Sequence, residues 1–386
     1  MRQLAPCVGL ALLIARGLVA QAAGQTPPPR RTWVDHLYPA VWYSSIDGFW
    51  LAGHYDWTSP LGFVERPEPT FARIALDAGA STQGSYSIIL DAQAPAYWDG
   101  WRIALTAGIN RANRFGYYGQ GNGTAYVRDS TAGRSYFYRV SRTTQSARVT
   151  IQRRIVGPLR VLAGGTLDHT DFRDLPGTTL FQCDQQAGII RPVEVPFNDR
   201  VGRIGVVLDW RDLEMDPHRG VLIEGLVSSG RGYTRRTASV RGYLHPLDRL
   251  VLAGRLAGED MTGDPPLAAQ FTMESSEGPI VAVGGYHSLR GYHDGRFLGP
   301  GKILGGLEAR YGILWAPRLL EVKLLAFYDA ARVFAPGESV RLTRDGLHSS
   351  FGGGVAMALM RNTVVTLDVG KGTEGTQIAF ATTFAF

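Results

Sequence analysis

Cysteine is nearly missing from this chain: two residues in 386, Cys7 and Cys183. Cys7 lies in the N-terminal segment read below as a leader, which leaves Cys183 alone and excludes an internal disulfide framework. Long apolar runs are missing too. The longest, Val8 to Ala15, falls far short of the roughly 20 residues that a spanning helix needs, and a mean hydropathy of −0.06 is too low for a helical membrane protein. From Trp42 onward no long stretch keeps a 3.6-residue apolar period. Catalytic signatures are absent as well: there is no G-x-S-x-G, no H-E-x-x-H and no P-loop. The net charge of +6 falls to +4 once Arg2 and Arg16 are removed with the leader. That is too mild and too dispersed to point to nucleic acid.

What the chain does have is glycine, 48 residues, and 16 each of Phe and Tyr. These mark many short strands and turns. The N-terminus carries an export signature, with Arg2 as its charged head, Cys7 to Ala15 as its apolar centre and Ala20-Gln21-Ala22 as a small-x-small cleavage site. Residues 1–23 are therefore expected to be a signal peptide; Arg16 is unusual there, and a cytosolic amphipathic helix is the alternative. Residues 24–41, opening with Gln25 to Arg31, read as a disordered lead-in. The barrel is expected to fill 42–386.

Period 2 dominates the rest, in segments of about ten residues separated by Gly, Pro, Asp or Asn. Sixteen segments are expected, near 46–57, 71–81, 83–93, 100–111, 134–144, 146–155, 158–168, 200–210, 220–230, 233–243, 247–257, 301–313, 320–330, 349–360, 362–370 and 377–386. In 320–330, Leu320, Val322, Leu324 and Tyr328 lie opposite Glu321, Lys323 and Asp329. In 377–386, Ile378, Phe380, Phe384 and Phe386 lie opposite Gln377, Ala379, Ala381 and Thr383. Apolar, aromatic-tipped outer faces and polar inner ones are the pattern of an outer-membrane β-barrel. A soluble sandwich or propeller alternates too, but its strands average about five or six residues. The expected fold is all-β: a sixteen-stranded antiparallel transmembrane barrel with its sixth outer loop folded inward. On this count 58–70, 169–199, 258–300 and 331–348 are outer connections. The long 112–133 connection falls on the inner side, where short turns belong; either it is structured or a strand pair is missed there.

The sharpest feature is Leu289-Arg290-Gly291-Tyr292 in a glycine-rich loop. An arginine offers a rigid fork of donors suited to carboxylates. Strand parity puts Glu308 and Asp329 on polar faces just beyond the loop. Arg290 is expected to enter the lumen against both acids; an exposed arginine beside two unrelated acids is the alternative. A second cluster, Asp209, Arg211 and Asp212 followed by Pro217 and Gly220, reads as a structural inner turn. His169, Asp171, His287 and His293 are scattered loop residues, and no cofactor or metal is expected.

These motifs carry a resemblance. Leu289-Arg290-Gly291-Tyr292, between segments 11 and 12, is similar to the V-R-G-F/Y loop of the BamA/TamA-type bacterial surface-antigen superfamily. Phe327-Tyr328-Asp329-Ala330-Ala331 resembles its F-x-D-x-G strand motif, with Ala331 where the family has glycine. Asp209, Arg211, Asp212, Pro217 and Gly220 resemble its D-x-R-D…P…G turn. The terminal Phe386, with Phe380 and Phe384, resembles the C-terminal signal read by the outer-membrane assembly machinery. The resemblance is strongest over 201–386. It implies a non-enzymatic insertion or translocation factor in the outer membrane of a Gram-negative bacterium, in contact with lipid and working through a plugged lumen and a weak seam between first and last strands. Roughly twenty residues separate the leader from the first expected strand, so a barrel-only member without POTRA domains is expected. Such a member needs a periplasmic partner or a second copy to recognise clients. A passive or regulated pore for small solutes or lipid is the other reading. An outer-membrane enzyme lacks a recognisable nucleophile and base.

Overall fold

The computed structural model describes residues 32–44, 46–61, 66–127, 136–316, 319–359 and 363–386. The expected signal peptide and the first part of the expected lead-in lie outside them. Sixteen strands form one antiparallel sheet in strict sequence order. They are β1 Val34–Ser44, β2 Gly48–Pro60, β3 Thr70–Ser81, β4 Tyr86–Trp98, β5 Trp101–Gly116, β6 Arg139–Val156, β7 Leu159–Arg173 and β8 Phe197–Asp209. After these come β9 Gly220–Gly230, β10 Tyr233–Leu247, β11 Leu250–Gly263, β12 Gly301–Ala316, β13 Leu320–Phe334, β14 His348–Leu359, β15 Thr363–Gly372 and β16 Gly375–Ala381. No pairing joins β1 to β16 among the described residues.

The expected count of sixteen is met, but by two compensating differences. Val34–Ser44 is a strand paired with β2 along its whole length, so the lead-in expectation fails over 34–41 and the boundary at 42 falls inside β1. The expected segments 134–144 and 146–155 are one strand, β6, of 18 residues. From β7 onward the two differences cancel. Before it they invert the ends. The β5–β6 connection lies at the end carrying the long loops, as its length requires. The β2–β3 connection, expected outside, lies at the turn end instead: Glu214 N–H, in the β8–β9 turn, donates to Pro67 O at 2.9 Å.

The sheet curls around a polar interior. In β12, Lys302, Leu304, Gly306, Glu308 and Arg310 are buried, while Leu307, Tyr311, Ile313 and Trp315 are exposed. β13 does the same, with Lys323, Asp329 and Ala331 inside and Leu324 and Tyr328 outside. Inward charges bonded to one central loop from β6 round to β15 show that these strands share one interior. Among the described residues four of the five exposed tryptophans lie toward the turn end, Trp57, Trp101, Trp210 and Trp315, with Trp42 at the loop end of β1; the four resemble the aromatic belt at a membrane interface. Many strands run 13 to 18 residues, beyond the roughly 9 to 11 that cross a bilayer, so the loop end projects past the apolar band.

The last strand is also shorter than expected. β16 stops at Ala381, and Phe384, Ala385 and Phe386 turn inward, each buried. Phe380 is exposed on the outer face as expected, but Phe384 and Phe386 are not. Phe384 packs with Leu325, Ala356, Ala358 and Val364, and Phe386 with Tyr243 and Ala253.

The apolar band makes a depth-dependent prediction. Leu307→Lys, at mid-strand on the outer face, should cost about 2–4 kcal/mol of folding stability in lipid vesicles, and Trp315→Lys at the rim about 0–1 in charge placement. Equal losses at the two depths would contradict a lipid-facing band.

Candidate functional site

Residues 264–300, the loop between β11 and β12 (L6), fill the interior. A short helix, Leu267–Gln270, and a two-residue hairpin, Thr272–Met273 with Ile280–Val281, shape its descending limb. The limb is apolar where it meets itself: Met273, Ala282, Val283, Leu289, Tyr292 and Phe297 pack with Ala257, Leu304, Ala331 and Val333 of the wall. Its polar atoms go to the wall. Glu274 meets Arg148 at 2.8 Å and Arg203 at 3.5 Å. Ser276 N–H donates to Glu224 at 2.9 Å. Glu277, at the deep end, is paired at 2.6 Å with both Arg211 and Arg241.

Arg290 stands on the returning limb and is 2% exposed. Its Nε and Nη2 form a fork on Asp329, 3.0 Å to each oxygen. Its Nη1 donates to Glu308 Oε2 and, at 3.1 Å, to Asp368 Oδ2. Its guanidinium lies 3.5 Å from the centre of the Phe327 ring. The structure thus brings Arg290 together with both acids that parity places on the inner faces, and adds a third, Asp368 of β15. That acid was overlooked, although its spacing from the inward Thr366 and Gly370 marks it as inward too. Glu308 is shared: its other oxygen accepts from Arg310 Nε at 2.7 Å. Two guanidinium groups therefore face three carboxylates, a densely paired group in which each charged-form hydrogen bond is of the strong kind.

Gly291 has a steric reason. A Cβ there would come within 2.5 Å of the Lys371–Gly372 backbone, and one on Gly370 within 2.5 Å of Arg290 O. L6 touches β15 backbone to backbone, and any side chain at either position pushes it off. Tyr292 then covers Gly372 and bonds Thr373 through its hydroxyl at 3.0 Å. Further up, Arg296, fully buried, holds Glu374 and donates to Thr124 Oγ1 at 2.7 Å. His287 bonds Ala385 O at 3.3 Å, and burial, with Arg255 and its neighbouring cations, holds its imidazole below the usual range against that bond. His293 stacks on Tyr118. His169, on β7, bonds Asn198.

The β8–β9 turn is more than a turn. Asp209 and Arg211 form a two-point pair at 2.9 and 3.1 Å, and Asp212 Oδ1 accepts from three backbone N–H groups. Pro217 is buried. Gly220, at φ +110, leaves 2.0 Å between its notional Cβ and Trp210 O, so only glycine fits. Arg211 then reaches up to Glu277 of L6. The partner residue Glu277 carries no motif, and nothing local in the sequence marks it.

The inward tail belongs to the same site. Arg310 stacks on Phe384 at 3.7 Å and donates to Phe386 O at 2.9 Å. Arg255 lies 4.7 Å from the Phe386 ring centre. Tyr286 of L6 donates to Thr383 O at 2.6 Å.

An Omp85 superfamily domain matches residues 72–363, three quarters of the chain. The chain belongs to the Omp85 superfamily. No curated protein gives a significant match. Among solved structures, BamA from Haemophilus ducreyi lacking POTRA domains 1–3 is 14% identical, with a TM-score of 0.54, and the match covers 91% of this chain and 69% of that one. CdiB from Escherichia coli is 10% identical, with a TM-score of 0.57, covering 92% of this chain and 63% of that one. This chain thus spans less than two thirds of CdiB. At these identities the likeness speaks for the fold alone; the superfamily rests on the domain match.

Two predictions follow from the paired charges. Arg290→Ala strands the buried Asp329 and Asp368 and leaves Glu308 to Arg310 alone, and should cost about 3–5 kcal/mol in urea unfolding. Adding Asp329→Asn should cost less than the separate losses combined, by about 1 kcal/mol or more; strictly additive losses would contradict a shared site. Burial alone raises the Glu277 carboxyl, but Arg211 and Arg241 hold it well below the usual carboxylate range. Its stabilising contribution is therefore complete above the unfolded value of about 4.3 and disappears as pH falls through the lowered one. Limited proteolysis of L6 should quicken on acidification, and Glu277→Gln should flatten that acid dependence while loosening the loop at pH 7.

Proposed function

We propose that this superfamily member is an integral outer-membrane barrel of a Gram-negative bacterium that inserts or translocates polypeptides without catalysis. It resembles the BamA/TamA-type members in the Arg290 loop and the β8–β9 turn. The observation that carries the reading is that, among the described residues, no pairing joins β1 to β16. β1 offers eleven residues and β16 only seven, and the terminal residues leave the sheet for the interior. An open edge presents free N–H and C=O groups, a template for an incoming strand. In this reading β1 and β16 meet at a weak seam that closes the barrel, and the seam, rather than the lumen, is the route.

L6 supports that division of labour. It occupies the space a solute would need, held by ion pairs from β6 to β15. The cavity left between L6 and β6, β7, β8 and β10 is about 230 Å³ and is lined by Arg142, Arg148, Asp168, Arg235 and Glu274 among others, smaller than the roughly 300–1,000 Å³ of ligand sites. The partners are outer-membrane lipid, the machinery that inserts the chain itself, and a periplasmic protein or second copy that brings the client.

Proteoliposomes test this directly. With wild-type protein, an unfolded barrel client should fold markedly faster than in empty vesicles, while single-channel recordings stay closed. Deletion of 285–298 should open a steady conductance, and Arg290→Ala should give intermittent openings. A large steady conductance in wild type without faster client folding would instead favour the solute pore.

A further inference from the structure

At the turn end, β8–β9 and β13 meet across the interior. Asp216 and His218 lie on the turn, Glu321 and Lys323 at the start of β13. One ligand-type atom from each of Asp216, His218 and Glu321 lies within 4.8 Å of the other two. At their centre sits the Lys323 ammonium, 2.6 Å from Asp216 Oδ2, 3.1 Å from His218 Nε2 and 3.4 Å from Glu321 Oε2. All three neighbours offer lone pairs to one cation. The same Nε2 is an atom through which a neutral imidazole ligates a metal. Asp216 is 6% exposed, and its second oxygen, Oδ1, is buried with no hydrogen-bond partner. An unpartnered carboxylate oxygen at this depth is costly and marks coordinating capacity that the lysine does not use.

We infer that Asp216, His218 and Glu321 form a binding site for a divalent cation of the zinc class, with Lys323 as its built-in competitor. The spacing fits. Zinc bonds of about 2.0–2.2 Å to N and O in a tetrahedral arrangement put neighbouring ligand atoms about 3.4 Å apart. His218 Nε2 stands 3.6 Å from Asp216 Oδ2 and 3.9 Å from Glu321 Oε2. The third pair, Asp216 with Glu321, lies within 4.8 Å, so the two carboxylates must draw together around the ion to complete three ligands. The fourth place falls to water or to His245 of β10, whose ring centre is 5.7 Å from that of His218. An imidazole among the ligands selects against calcium and magnesium, which take oxygen. Lys323 is 1% exposed, so an entering ion must displace a buried ammonium on its flexible four-carbon stem, while the part-exposed His218 and Glu321 side chains leave an approach from the turn end. Bound metal would tie the β8–β9 turn to β13, and that turn already holds Glu277 of L6 through Arg211.

The test is calorimetric titration of ZnCl₂ into tag-free, chelator-treated full-length protein, with MgCl₂ as control. Lys323→Met should bind zinc at least tenfold more tightly than wild type, and Lys323→Met with His218→Ala should lose that gain. His218→Ala alone should lose zinc binding in the wild-type background, which keeps the test open if Lys323→Met folds poorly. Zinc affinity that ignores both substitutions, no binding in any variant, or equal heats with magnesium would each overturn the site.

Discussion

One guanidinium decides where L6 must be. Glu308, Asp329 and Asp368 project from three neighbouring or near-neighbouring strands into the same space, each 3% exposed or less. Three carboxylates that close cannot all stay ionised without cations between them. Arg310 takes one oxygen of Glu308; Arg290 takes the other, both oxygens of Asp329 and one of Asp368, whose second oxygen is left without a partner. Because Arg290 comes from a loop and not from the wall, the charge balance of the wall is completed only when the loop is inside. Buried ion pairs are weak evidence of net stability but strong evidence of position, since removing one partner leaves the other stranded. The glycines that let L6 lie against β15 make that position narrow: little besides Gly291 and Gly370 fits where two backbones touch.

The remaining ion pairs turn that single contact into a strap running the depth of the interior. Asp264 meets Arg191 at the loop end. Glu274 lies among Arg148, Arg203 and Arg235, Glu277 meets the β8–β9 turn, and Arg296 returns to Glu374 beside β16. Opposite charges recur along the strap, so it is pinned at several levels. The inward tail is held by L6 and by the arginines of β11 and β12. A movement of L6 would therefore be felt at the seam as well as in the lumen, which gives the proposed function a physical link between plug and edge.

Much of this was legible in the sequence, and the exceptions have reasons. Strand parity puts Glu308 and Asp329 on the inner faces, where both are buried, because β12 and β13 have one lipid-like face and one polar face, so alternation is enforced. β1 was read as a lead-in because nearly all its described side chains are exposed on both faces; nothing there compels a period of two. β6 was split because Thr143, Thr144, Gln145 and Ser146 interrupt the apolar alternation, and a polar run looks like a turn. Phe384 and Phe386 keep the parity of Ile378 and Phe380, so a strand through to the end was the natural expectation. What turns them inward, Tyr286, Arg255 and Arg310, lies 76 or more residues away in sequence. The Asp216, His218, Glu321 cluster was missed for the same reason: its members join two elements whose approach no local pattern announces.

The central claim is that Arg290 holds L6 inside the sheet. Hydrogen exchange of the loop amides tests it most directly, because several of them bond only within L6: Val283 with Phe297, Gly285 with Leu289, and Ser288 with Gly285. In wild type these amides should exchange slowly, close to the rate of the neighbouring strands. In Arg290→Gln, which keeps the length and removes the charge and the fork, protection over 283–297 should collapse while β12 and β13 retain theirs. Unchanged protection of the loop, or its loss only together with the strands, would contradict the claim.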